Sequence, residues 1–133
     1  MTSAHKYQDL VAWQLSMELS ELVSGVVETS EIARDFRLRD QIRNAAQSAP
    51  ALIAEEFIRF TPEEFVRYLR MARAEMGELQ THLETARRQG LLSDEQCALV
   101  MPLARRTMAI TTRLLKSKLP MLRKRRGAGR QAP

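Results

Sequence analysis

Apolar residues recur at helical spacing along most of the chain, in four blocks separated by short polar or Gly/Pro-containing stretches. The first block predicts a helix from about Asp9 to Thr29, with Leu15, Leu19, Leu22, Val23 and Val26 on one face. The second predicts a helix over about 37–60, aligning Leu38, Ile42, Ala45, Ala49, Ile53 and Phe60. Pro50 falls inside it, and a proline ring removes a donor and crowds the preceding turn, so a kink is expected. The third block, about 62–89, opens with Thr61-Pro62-Glu63-Glu64, a capping box with proline at the first helical position. Behind it Phe65, Leu69, Ala72, Met76, Leu79, Leu83 and Ala86 step alternately by four and three residues, and Gly90 supplies the stop. The fourth, about 94–118, starts on Ser93 with Gln96 completing a second capping box. It runs through Cys97, Met101, Ala104, Met108, Thr111 and Leu115 toward Pro120, with a bend expected at Pro102.

Four amphipathic helices joined by short loops predict an all-α, antiparallel up-down-up-down four-helix bundle over residues 1–120. The alternating four-three spacing favours shallow crossing angles of about 20°. Residues 121–133, MLRKRRGAGRQAP, are charged and aperiodic, which predicts a flexible basic tail.

Composition narrows the possibilities. Aromatic residues are only 5% of the 133, so the core must be built from Leu, Ile, Val, Met and Ala. A lone cysteine, Cys97, excludes a disulfide framework and any Cys-rich zinc module. No apolar run approaches the roughly 18–20 residues needed to cross a bilayer. The start MTSAHKYQDL lacks a hydrophobic signal region, so a reducing cytoplasm is the expected location. Net charge matters more. Residues 1–95 hold 11 basic and 16 acidic side chains, whereas residues 96–133 hold ten basic and none acidic. The overall +5 thus averages an acidic portion of −5 with a basic end of +10, an asymmetry suited to a polyanion or an acidic surface.

The parts for catalysis are scarce. A di-iron bundle needs Glu-x-x-His motifs, but His82 is the only histidine predicted within a helix and Leu79 stands three residues before it. His5 lies in the N-terminal arm. Cys97 occupies a core position, where a small thiol is inert. There is no phosphate-cradling Gly-rich loop and no nucleophile elbow. A non-enzymatic protein with no metal or cofactor is therefore expected. Glu55, Glu75 and Glu78 read as solvated or as helix-surface partners of arginines. Glu56 is the exception because it falls near the apolar line of the second helix. Either the Pro50 kink turns it outward, or it pairs with an arginine such as Arg43 or Arg73, since an unpartnered buried carboxylate is costly.

A second set of apolar positions lies off the core stripes: Leu10, Trp13 and Met17 on the first helix, Ala51, Ala54 and Ile58 on the second, Met71 and Ala74 on the third. Recurrence on three helices points to an oligomer interface. The alternative is that Trp13 folds over the bundle end while the others are scattered exposed residues. The basic end supplies the other candidate surface. Arg106, Arg113 and Lys116 project from the outer face of the fourth helix with Arg105 at its flank. Arg123, Lys124, Arg125, Arg126 and Arg130 follow in the tail. In the predicted topology Lys6, Arg59, Arg67 and Arg70 share that end of the bundle. Such a footprint suits phosphate contacts of RNA or DNA, with too few aromatics for base stacking. A solvated helix face, or docking to an acidic protein partner, is the alternative reading.

Several segments resemble a known family. Asp9-Leu10-Val11-Ala12-Trp13-Gln14 is similar to the L-x-V-W-Q opening of the bacterial 23S rRNA-intervening-sequence proteins. Gln41-Ile42-Arg43-Asn44-Ala45-Ala46 resembles their Q-I-R-R-A-A segment. Ser48-Ala49-Pro50-Ala51-Leu52-Ile53-Ala54-Glu55 resembles S-I-P-S-N-I-A-E, with its mid-helix proline. Glu64-Phe65, Glu78-Leu79 and Gly90-Leu91-Leu92 extend the likeness over roughly residues 7–118. The resemblance implies a bacterial cytosolic protein, a left-handed four-helix bundle and a ring-like homopentamer. It also implies kinship with accessory proteins of diversity-generating retroelements, whose basic barrels bind nucleic acid and a reverse transcriptase. The chain departs from the pattern where Glu56-Phe57-Ile58-Arg59-Phe60 replaces the glycine and polar turn usual after I-A-E, and where Gln80 replaces a common Glu. The RKRR tail lies beyond the likeness.

Overall fold

The structure is a computed structural model that describes residues 6–59 and 61–130, with side chains for 6–58 and 61–122. Among these residues the secondary structure is wholly helical: α1 (Val11–Thr29), α2 (Phe36–Arg59), α3 (Pro62–Arg88) and α4 (Asp94–Arg130), with 3-10 turns at Tyr7–Asp9 and Glu31–Arg34. The main helix contacts run α1–α2, α2–α3, α3–α4 and α4–α1, so the four helices close around one interior.

The helix starts follow from side-chain caps. Asp35 Oδ1 accepts from the Leu38 amide at 3.1 Å, which opens α2. Thr61 Oγ1 accepts from Glu64 N at 3.3 Å, with Pro62 in the first turn of α3. At α4 the box is reciprocal: Ser93 N donates to Gln96 Oε1 at 3.0 Å and Gln96 N to Ser93 Oγ at 3.1 Å. The end of α3 needs glycine. Gly90 adopts φ +76°, and its amide and that of Leu91 return to the carbonyls of Arg87 and Ala86, a Schellman closure. Glu84 then bridges Arg87 at 2.7 Å and Arg88 at 3.1 Å, while Arg87 reaches Asp94 at the start of α4. Hydrogen bonds from the two guanidinium groups hold the Glu84 carboxyl down at about 2.

The core divides into two clusters. The first joins Leu19–Val27 of α1, Leu38–Ala46 of α2, Leu79–Ala86 of α3 and Leu92–Ala104 at the start of α4. The second joins Ala12, Ala49 and Ile53, then Val66–Met76 of α3 and Leu115 of α4. Half-buried Leu10, Trp13, Phe65, Leu114 and Leu119 cover the second cluster.

The structure corrects three expectations. In α4 the buried line passes through Val100 and Thr107 as well as Ala104, Thr111 and Leu115, leaving Met101 and Met108 half-buried at its flanks. The two threonines fit there because each hydroxyl donates to its own helix, Thr107 to Leu103 O and Thr111 to Thr107 O. In α3 the line enters at Val66, and the Phe65 ring is only half-buried. Finally, the fourth helix ends at Arg130 rather than near 118. Pro120 removes one amide, but the helix is already nucleated and Met121-Leu122-Arg123-Lys124-Arg125-Arg126 are good helix formers. At 37 residues α4 is about 55 Å long, against about 40 Å for the 27 residues of α3. Phe60 and residues 131–133 of the expected tail lie outside the described residues.

Candidate nucleic-acid interface

The outer face of α4 is a continuous exposed stripe. Pro102, Arg106, Ala109, Arg113, Lys116 and Pro120 step by four and three and are all exposed, with Arg105 exposed at the flank. The opposite stripe is the buried line described above, so the burial that fixes α4 in the bundle also fixes which way its cations face. Among the described residues none of Arg105, Arg106, Arg113 and Lys116 has a carboxylate partner. Composition removes the partners from their own helix, since α4 has no acidic residue after Glu95 to offer at i±3 or i±4. The side chains of Arg123, Lys124, Arg125 and Arg126 lie outside the described ones, as does that of Arg59; the helical backbone of α4 extends through 123–126. Lys6, Arg67 and Arg70 are exposed. Lys118 differs from its neighbours: it is half-buried, with its ammonium over the Phe65 ring at 5.2 Å from the centroid.

The expected interface residues separate into three groups. Ala51, Ile58, Met71 and Ala74 are exposed on α2 and α3, Ile58 by 62% and Met71 by 41%. Met17 and Ala54 are half-buried. Leu10 and Trp13, expected on an outward face, instead cover the second core cluster, and Trp13 meets Tyr7 edge-on at 5.4 Å. A further apolar surface was not legible in the sequence: a groove of about 430 Å³ between α1 and α4, lined by Leu10, Val11, Ala12, Ile110 and Leu114, with Arg113 at its edge. Its only sequence signal was apolar Val11 and Ile110 off the core stripes.

The remaining candidates resolve as follows. Cys97 is a free, buried thiol, pushed up by burial. His82 lies 3.3 Å from Glu78, and Tyr68 donates to Glu55 at 3.5 Å. Burial, with Glu78 adding to it, raises Glu75. No group of three or more His, Cys, Asp and Glu among the described residues could hold a metal ion. Glu56 overturns both expectations. It is neither turned outward nor paired: it is 0% exposed, and neither carboxyl oxygen has a hydrogen-bond partner among the described residues. Arg43 reaches Glu28 instead, at 3.6 Å, and the buried Nε of Arg73 is itself unpartnered.

Fold and surface together define an all-α four-helix protein with one cation-bearing helix that holds no acidic residue after Glu95. No helix among the described residues is long and apolar enough to cross a membrane. The family model for the 23S rRNA-intervening sequence proteins matches residues 8–113, and the chain belongs to that family. A comparison with curated proteins finds no match. The family match ends before Lys116 and the basic segment beyond it.

Proposed function

We propose that this protein is a non-enzymatic, self-assembling helical bundle of the cytoplasm that binds RNA or DNA through phosphate contacts along the outer face of α4. The observation that carries the reading is the exposed series Arg105, Arg106, Arg113 and Lys116, without carboxylate partners among the described residues and continued in sequence by Arg123, Lys124, Arg125 and Arg126. Cations fixed along one helix face match the regular charge of a nucleic-acid backbone and carry little sequence information. The assembly we propose is a homopentameric ring of antiparallel, left-handed bundles. Two different apolar surfaces support it, one at Ala51, Ile58, Met71 and Ala74 and the other in the α1–α4 groove. A contact between unlike surfaces is heterologous and generates rings when the rotation closes. Several copies of α4 then act together, which raises avidity without new contacts.

The test is binding of duplex RNA and duplex DNA across a salt series, for the full chain and for a chain ending at Pro120. Affinity that falls steeply and linearly on a log–log salt plot is the expected result. Undetectable binding at low salt rejects this reading in favour of a protein-interaction scaffold whose basic end docks an acidic partner. Binding unchanged by the truncation places the site on Arg105, Arg106, Arg113 and Lys116 alone.

A further inference from the structure

A buried carboxyl group with no hydrogen-bond partner demands an explanation, because native proteins satisfy nearly all such groups. Glu56 follows Ile53 by three residues on α2 and points into the bundle with no exposed surface. The charged group acting on it from α4 is Lys118, whose ammonium rests on Phe65. From α3, Arg73 keeps a buried Nε without a partner, and the Tyr68 hydroxyl is turned to Glu55. From the first turn and α1 come the Tyr7 and Trp13 rings and apolar Leu10 and Ala12, while Lys6 and Asp9 are exposed. None of these groups gives the carboxyl a hydrogen bond.

We propose that Glu56 makes the second core cluster a proton-linked opening element: the cluster closes over the neutral acid and opens with release of one proton from Glu56 to solvent. Burial pushes this carboxyl up to about 9 from an ordinary value of 4.5, against a smaller downward pull from Lys118. Between those limits the closed form holds one proton more than the open form, so the open-to-closed ratio rises about tenfold per pH unit. At pH 7 opening is then favoured about 300-fold relative to pH well below 4.5. The second cluster, not the first, is the element that opens. The first is locked at its end by the Schellman closure, the reciprocal cap and the Glu84–Arg87–Asp94 bridges. Half-buried side chains cover both clusters, but those over the second include Phe65, which carries the Lys118 ammonium, and Ile53 of the second lies one turn before Glu56. Because Arg113 and Lys116 project from the part of α4 that closes this cluster, its opening also loosens the support of those cations. This inference stands whether or not the surface binds nucleic acid.

Hydrogen exchange of the full chain, read by mass spectrometry between pH 5.5 and 8.5 and corrected for intrinsic exchange, tests it. Segments 49–56, 65–76 and 108–118 are expected to open about tenfold more per pH unit, and segments 19–27 and 79–86 to change far less. Glu56→Gln should flatten the dependence. Equal slopes in the two clusters, or an unchanged slope in Glu56→Gln, overturn the proposal. Carboxyl-carbon NMR of Glu56 in the unmodified protein decides independently of the variant: a midpoint above pH 7 supports it and one below pH 7 overturns it.

Discussion

Lys118 rests on the ring of Phe65, its ammonium 5.2 Å from the centroid, and makes no hydrogen bond to the buried Glu56 carboxyl. A cation held over a ring in this way leaves the buried carboxyl without a charged hydrogen-bond donor. A neutral acid offers an ammonium little attraction, whereas the face of an aromatic ring offers a quadrupole at no desolvation cost to a second charge. The arrangement stores a polar group in the core and leaves the Lys118 ammonium over a ring.

Stability should therefore depend on pH in a direction unusual for a glutamate. An acid whose pKa is raised on folding binds more protons when folded, so its contribution is fully present below pH 4.5 and lost as pH rises toward about 9. At pH 7 the cost approaches about 3 kcal/mol, the product of 2.5 pH units and 1.36 kcal/mol per unit. Glu56→Gln should raise the urea midpoint at pH 7 and flatten its fall between pH 5 and 9. A variant that is destabilised at pH 7 and keeps the wild-type pH profile contradicts this account.

Two isoleucines five residues apart on α2 should respond oppositely. Ile53 is 0% exposed within the second cluster, and Ile53→Ala should cost about 2–5 kcal/mol. Ile58 is 62% exposed, so Ile58→Glu should leave monomer stability within about 0.5 kcal/mol while lowering the mass seen by light scattering. A mass unchanged by Ile58→Glu together with Met71→Glu removes these residues from any subunit contact. Trp13→Glu is a poor probe of assembly, because it strips the cover from the second cluster.

Gly90 should tolerate no side chain well, for a purely backbone reason. Nothing lies within 4 Å of an added Cβ, yet φ is +76°. Gly90→Ala should then cost about 1 kcal/mol in equilibrium unfolding, with no change in the cores. A neutral result would mean that the α3–α4 turn relaxes to another conformation.

The salt dependence of nucleic-acid binding should count cations. Replacing both Arg106 and Arg113 with alanine should lower the log–log slope by about 2 and weaken duplexes of different sequence alike. A loss confined to one sequence would indicate base contacts instead.

Much of this molecule was legible in its sequence. Helix positions other than the end of α4, the caps at Thr61 and Ser93, the glycine stop at Gly90 and the cation stripe on α4 depend on neighbours within one or two turns, and local spacing encodes such features directly. The charge division at residue 95 is likewise fixed by sequence, and with it the absence of any acidic partner for Arg106 and Arg113 along their own helix. Tertiary packing decided the rest. Spacing placed Glu56 on the apolar line but gave no means of seeing that Arg43 would turn to Glu28 and Lys118 to Phe65. It placed Trp13 off the α1 stripe, and only the meeting of Tyr7, α1 and the second cluster showed that the ring is structural cover. The groove between Val11 and Ile110 exists only because two helices distant in sequence leave a gap. Periodicity fixes which side of a helix is buried, while the partner each side chain finds there depends on what the other helices bring to the same level.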